Sequence, residues 1–145
     1  MSYTQIYVHA VWATKDRKHL FNNTQKDSLC KHIREYAKMN NIHVLNVNGW
    51  QNHLHCLLSL NAGQNVITAI NLMKGESSFW ANRSKLFAEK FYWQNEYFAV
   101  SLGKSQLQII NDYIKNQEEH HKKNTFEEEY EEFMKYYKFD DDILL

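Results

Sequence analysis

The stretch IHVLNVNGWQNHLHCLLSL, residues 42–60, decides the fold. It holds two runs of apolar and β-branched residues, Ile42–Trp50 and Asn52–Leu60, separated by a bend near Gly49–Gln51. Such runs read as two strands joined by a tight connection. Successive side chains on a strand alternate between faces. His53 and His55 therefore point one way, with Cα atoms about 6.6–6.8 Å apart, while Leu54, Cys56, Leu58 and Leu60 point the other. A sheet with a leucine face turned into a core and a histidine pair on the opposite face is the expectation.

Working outward, SYTQIYVHAVWAT (Ser2–Thr14) is dense in β-branched and aromatic residues and reads as the first strand. Thr24 is the expected N-cap of a helix in which Leu29, Ile33, Tyr36 and Ala37 recur at helical spacing up to about Asn40. After the central pair, Val66, Ile70 and Met73 fall at i, i+4 and i+7, followed by Phe79 and Trp80, which predicts a second helix over 65–83. Gly75 weakens it, since a mid-helix glycine is about 1 kcal/mol less favourable than alanine. Tyr97–Leu102 gives a fourth strand, and a third helix runs from Lys104 or Ser105 to about His121, with Leu107, Ile110 and Ile114 on its apolar side. The order strand–helix–strand–strand–helix–strand predicts an α+β fold, a ferredoxin-like βαββαβ sandwich with additional C-terminal helices.

A chain of 145 residues, 43% of them apolar, suits one core. No apolar run approaches the roughly 20 residues needed to span a bilayer, and the secretory layout is missing, so a cytoplasmic protein with no membrane partner is expected. Cys30 and Cys56 fit neither a disulfide scaffold nor a CxxC metal knuckle. The formal net charge of +0 argues, as a whole-chain figure, against a nucleic-acid partner. It conceals a split: residues 1–117 carry 13 Lys/Arg against 7 Asp/Glu, and residues 118–145 carry 4 against 10. With no proline and no Gly/Ser linker, residues 1–121 read as one domain. Residues 122–145 read as an acidic amphipathic helix packed on that domain or extending it, because Phe126, Tyr130, Phe133 and Tyr137 recur at helical spacing with glutamates between them.

Two constellations can carry chemistry. Imidazoles at positions i and i+2 of a strand can converge on one cation; alone, the pair reads rather as two exposed or hydrogen-bonded histidines. On the third helix Tyr113, Gln117 and His121 are spaced four apart and share a face. Tyrosine can serve as a covalent nucleophile, but with a free pKa of about 10 it needs activation. Gln117 offers an oxygen that would add to a two-histidine metal site. The alternative is a packing tyrosine and a solvated glutamine. Lys15, Arg17 and Lys18 follow the first strand and can grip phosphates. Lys74, Lys85, Lys90 and Lys104 add positive charge among Trp80, Tyr92, Trp93 and Tyr97, a mixture suited to single-stranded nucleic acid. His9, His19, His32 and His43 have no partner at a telling spacing and are given no role.

Taken together, the HxH strand and the YIKNQ helix resemble the single-tyrosine transposases of the HUH endonuclease superfamily, of the insertion-sequence 200/605 type and their repetitive-palindrome-associated relatives. YVHAVWATKDRKHLF, LMKGESS and WQNEYFAVSLG also look like family segments in family order, so the resemblance covers nearly all of residues 1–121. It implies the transposase-type HUH fold and cleavage and rejoining of single-stranded DNA near hairpins. It makes Tyr113 the nucleophile of a 5′-phosphotyrosine intermediate. It also implies a divalent metal, Mg²⁺ or Mn²⁺, held by His53, His55 and Gln117. A homodimer follows from it, with the tyrosine helix completing the partner's site in trans in many members. Two features depart from the pattern. Arginine is scarce (Arg17, Arg34 and Arg83), which leaves DNA contact mainly to lysine, including Lys15, Lys18, Lys74 and Lys104. The acidic helix after His121 is also no part of the common motif set; it is expected to keep the basic face from binding DNA indiscriminately. Other readings are a non-catalytic single-stranded nucleic-acid-binding module and a domesticated relative that cleaves without mobility.

Overall fold

A computed structural model describes residues 1–137. Four strands, β1 (Ile6–Ala13), β2 (His43–Trp50), β3 (His53–Leu60) and β4 (Phe98–Leu102), form one antiparallel sheet in the order β2-β3-β1-β4. Helix α1 (Asn23–Met39) connects β1 to β2, and α2 (Val66–Arg83) connects β3 to β4. This is the expected ferredoxin-like βαββαβ arrangement.

Alternation along the strands places the first layer. Val8, Ala10 and Trp12 of β1 and Leu54, Cys56, Leu58 and Leu60 of β3 are buried with Leu29, Cys30, Ile33 and Ala37 of α1 and Ala69, Ile70 and Met73 of α2. Each large aliphatic side chain so buried contributes roughly 1.5–3 kcal/mol. Helix α1 is capped two residues before the expected position. Asn22 accepts from the Gln25 N–H at 2.7 Å while Gln25 Oε1 accepts from the Asn22 N–H at 3.0 Å, a reciprocal capping box that leaves Thr24 inside the helix. Gly75 does not interrupt α2.

The opposite face of the sheet is covered as well. The expected third helix is divided into a 3₁₀ turn (Lys104–Gln106), α3 (Leu107–Lys115) and α4 (Gln117–His121). The break falls at Asn116 (φ −97°, ψ 25°). There Asn48 of β2 donates to the carbonyls of Ile114 (2.9 Å) and Lys115 (3.4 Å), so acceptors at the end of α3 are met from outside the helix. Leu57 and Leu102 pack with Ile110 and Ile114 of α3. Helix α5 (Phe126–Tyr136) follows, capped by Thr125 and Glu128, and its Phe126 and Phe133 pack on Val11 and Ala13 of β1. Helix α5 thus lies against the sheet; residues 138–145 of the stretch expected as an acidic tail helix fall outside the described residues. The described residues form three layers, α1 and α2 on one face and α3, α4 and α5 on the other.

Candidate metal centre and tyrosine site

The site grows from the second face of the sheet. On β3, His55 pairs across the ladder with Val11 of β1 and Asn48 of β2, and His53 pairs with Ala13 and Trp50. The backbones cross so closely at the end of this ladder that a Cβ on Gly49 would lie 2.0 Å from the His53 carbonyl oxygen, which is why glycine stands there.

Both rings are oriented from behind. Asn52 Nδ2 donates to the Arg17 carbonyl at 3.2 Å, which leaves Asn52 Oδ1 facing His53 Nδ1 at 2.9 Å. An amide oxygen only accepts, so the His53 proton sits on Nδ1 and its Nε2 carries a lone pair. His55 Nδ1 is 2.9 Å from His9 Nε2, and His9 Nδ1 is 3.1 Å from the Tyr137 hydroxyl. His9 is therefore a positioning group behind His55, a role its place in the sequence did not announce.

Helices α3 and α4 bring the other expected residues. Gln117 Oε1 is 3.2 Å from His53 Nε2, and the Tyr113 ring stands edge-on to His55 at 5.6 Å between centroids. The break at Asn116 does not separate Tyr113, Gln117 and His121, which all reach one centre.

That centre holds a residue the sequence reading passed over. Glu129 of α5 is 0% exposed, as are His53, His55 and Gln117. Its Oε1 lies 2.9 Å from His55 Nε2 and 3.0 Å from His53 Nε2. Its Oε2 accepts from the Tyr113 hydroxyl and from Gln117 Nε2 (3.3 Å), and lies 3.1 Å from His121 Nε2. A signal was present: with Phe126, Tyr130 and Phe133 defining the apolar stripe, Glu129 is the one member of the Glu127–Glu129 run that falls on it.

Electrostatics follow burial. Burial pushes His53 down to about 4 and His9 down to about 3, so both are neutral near pH 7. Burial alone would raise Glu129, but the surrounding imidazoles, His55 foremost, hold it well below the usual carboxylate range. Burial, and then the Glu129 charge, raise the Tyr113 phenol well above its ordinary value.

These residues fit a cation. Neutral His53 aims its Nε2 lone pair at two oxygens, Glu129 Oε1 and Gln117 Oε1, with no proton for either. A buried carboxylate needs a compensating charge. Ligand atoms around an octahedral ion with bonds of 2.0–2.1 Å lie about 3 Å apart, and the separations here are 2.9, 3.0 and 3.2 Å. His53, His55 and Glu129 lie close enough together to share one ion, and Gln117 Oε1 adds a fourth ligand atom.

The candidate DNA-contacting residues are dispersed. Lys15 lies over the exposed Tyr92 ring at 5.7 Å, Lys18 is 3.6 Å from Glu89, and Lys104 is exposed in the turn before α3. Arg17 faces α5, 3.3 Å from Glu127 and over the Phe126 ring at 5.1 Å. Lys74 is a correction. It is 7% exposed and donates to the carbonyls of Gln94 (2.7 Å) and Asn95 (3.0 Å), so it braces the loop before β4 rather than offering a cation to DNA.

Comparison with known proteins agrees with this geometry. Residues 2–117 match the family model described as Transposase IS200 like. The transposases for insertion sequence element IS200 of Salmonella typhimurium and Salmonella typhi are each 25% identical over 119 residues, covering 79% of this chain and 78% of theirs. Among solved structures, a Deinococcus radiodurans protein assigned as a transposase superposes with a TM-score of 0.64 at 20% identity, over 80% of this chain and 93% of that one. A REP-associated tyrosine transposase bound to a REP hairpin gives 0.63 at 14% identity, over 83% and 72%. The family match ends at Gln117, before His120, His121 and Glu129.

Proposed function

From the premise that the chain belongs to the IS200-like transposase family, we propose that it cleaves and rejoins single-stranded DNA beside hairpins through Tyr113. The observation that carries this reading is the convergence of the Tyr113 hydroxyl with His53, His55 and Gln117 in a single chain. In the proposed step the phenol oxygen attacks the scissile phosphorus. A Tyr113–phosphate bond forms at the 5′ side, the bond from phosphorus to the 3′ oxygen breaks, and the phenol's proton is lost as the 3′ oxygen gains one. The reverse attack by another strand's 3′-hydroxyl rejoins the DNA without an outside energy source.

A divalent cation, Mg²⁺ or Mn²⁺, held by His53 Nε2, His55 Nε2 and Gln117 Oε1 would polarise the scissile phosphate and offset its developing charge. The chain's own residues do the rest. Asn52 and His9 fix the two imidazoles, and while α5 covers the site Glu129 Oε2 accepts the hydrogen bond of the Tyr113 hydroxyl. With the proposed ligands fully buried beneath α5, a phosphate reaches them only once α5 is displaced. We assign the catalytic apparatus to residues 1–121 and the covering role to the acidic segment that follows. The hairpin bound by the structurally similar REP-associated transposase supports a hairpin as the DNA feature read here. A homodimer acting in the cytoplasm belongs to the same reading; no described helix is long and apolar enough to cross a membrane.

The test is a hairpin-bearing single-stranded oligonucleotide incubated with the protein and Mn²⁺. We expect a denaturation-resistant protein–DNA adduct whose yield falls at least ~10³-fold in Tyr113→Phe, with hairpin binding retained. An adduct that survives in Tyr113→Phe removes the nucleophile. Salt-sensitive binding with no adduct under any divalent metal would favour the non-catalytic binding module.

A further inference from the structure

The second oxygen of Glu129 sits among a different pair of imidazoles. Oε2 lies 3.1 Å from His121 Nε2 and 3.3 Å from His120 Nε2. His121 Nδ1 is 3.0 Å from the Asn124 carbonyl oxygen, which only accepts, so Nδ1 carries a proton and Nε2 is the ring nitrogen turned toward the carboxylate. Such a bond to a backbone carbonyl is how metal-ligating histidines are commonly fixed. Trp50 stacks on the same ring, with planes 8° apart, and holds its orientation. His120 Nε2 is buried and has no hydrogen-bond partner among the described residues. Two imidazole nitrogens thus face one anionic oxygen.

We propose that His120 Nε2, His121 Nε2 and Glu129 Oε2 form a second cation site, with the Tyr113 hydroxyl beside its open position. The separations of 3.1 and 3.3 Å suit the edge of a tetrahedron, about 3.3 Å for bonds of 2.0–2.1 Å, which points to a four-coordinate, zinc-like ion bound by two imidazoles and a carboxylate. The first cluster, with Glu129 Oε1 and Gln117 Oε1 beside its imidazoles, is richer in oxygen, as a six-coordinate ion prefers. Glu129 would then bridge two unlike cations. The His120 side chain, 19% exposed, gives the outer site a path to solvent. Filled, it ties α5 to α4 and keeps Glu129 across Tyr113. The inference rests on the proposed reading in that Oε1 of the same carboxylate serves the first cation.

Co²⁺ is the probe, because a four-coordinate ion gives intense visible bands and a six-coordinate ion weak ones. The metal-free, full-length chain is dialysed against Co²⁺, and bound metal and absorption are measured. Two ions per chain with intense bands are expected. The double variant His120→Ala, His121→Gln should bind one ion and lose those bands, and His120→Gln, at the partly exposed position, should weaken them should the double variant not fold. A wild-type chain that binds a single ion with weak bands overturns the second site and leaves the first. A chain that binds none overturns both. Intense bands that persist in folded variants remove these histidines from the site.

Discussion

On β3 the side chains of Leu54 and Cys56 alternate with those of His53 and His55, and the two sets are buried to the same degree in different chemistry. Leu54, with Trp12 and Val8, belongs to an apolar cluster that includes residues of α1 and α2. His53, with His55 and His9, meets Asn52, Gln117, Glu129 and Tyr137 through hydrogen bonds and close polar contacts. The first face is stabilised by area and close packing, which are non-directional, so any well-shaped apolar set would serve. The second depends on which atom of each ring carries a proton, and it gathers lone pairs and a carboxylate where an apolar face would gather methyl groups. One face secures the sheet so that the other can hold unfavourable neighbours in place.

That division is broken most severely from the apolar side. Leu54→Ala empties a fully buried position between Trp12 and the helices, and we expect a loss of about 2–5 kcal/mol in unfolding free energy, read from the shift in denaturant midpoint. Folded variant protein should still bind Mn²⁺. Loss of metal binding at unchanged stability would mean that the faces are not separable. The polar side answers differently. Glu129→Gln removes a buried carboxylate whose charged form the surrounding imidazoles favour, so the metal-free protein should melt below the wild-type temperature near pH 7. Its gain from saturating Mn²⁺ should shrink by about 2.7 kcal/mol, the equivalent of a hundredfold weaker site. Thermal melts with and without Mn²⁺ decide it; an undiminished gain would leave Glu129 as a covering group only.

The same contrast explains what could be read from the chain. The strands and the first two helices were legible because one face of each is apolar at period 2 or 3.6, and the histidine pair because period 2 sets i and i+2 side by side. What escaped depends on contacts between distant segments. The α1 cap moved from Thr24 to Asn22 because Gln25 completes a box that only Asn22 can close. The third helix broke because Asn48, 66 residues earlier than Ile114, reaches its end. Lys74 looked like a DNA contact because its charge is visible in sequence, whereas the loop carbonyls that bind it are not. The resemblance likewise supplied Gln117 and no Glu129, since the matched stretch stops before α5.

The smallest effect is expected where the polar network is thinnest. His9 touches no proposed ligand atom of a cation; it meets His55 through Nδ1, on the far side of the ring from the site. Either direction of proton sharing along Tyr137, His9 and His55 satisfies all three groups, and only the direction in which His55 Nδ1 donates leaves its Nε2 free for a cation. His9→Phe keeps a ring in place and removes that acceptor. The His55 proton is then free to move to Nε2, where Glu129 Oε1 at 2.9 Å accepts it and competes with the cation. We expect about tenfold weaker Mn²⁺ binding by isothermal titration, the low end for a group behind a ligand, and a smaller loss in His9→Gln, which still offers an acceptor. A structural role alone would lower the melting temperature equally with and without Mn²⁺. A positioning role requires that the loss be larger when the metal is present, because only then does the His55 tautomer matter.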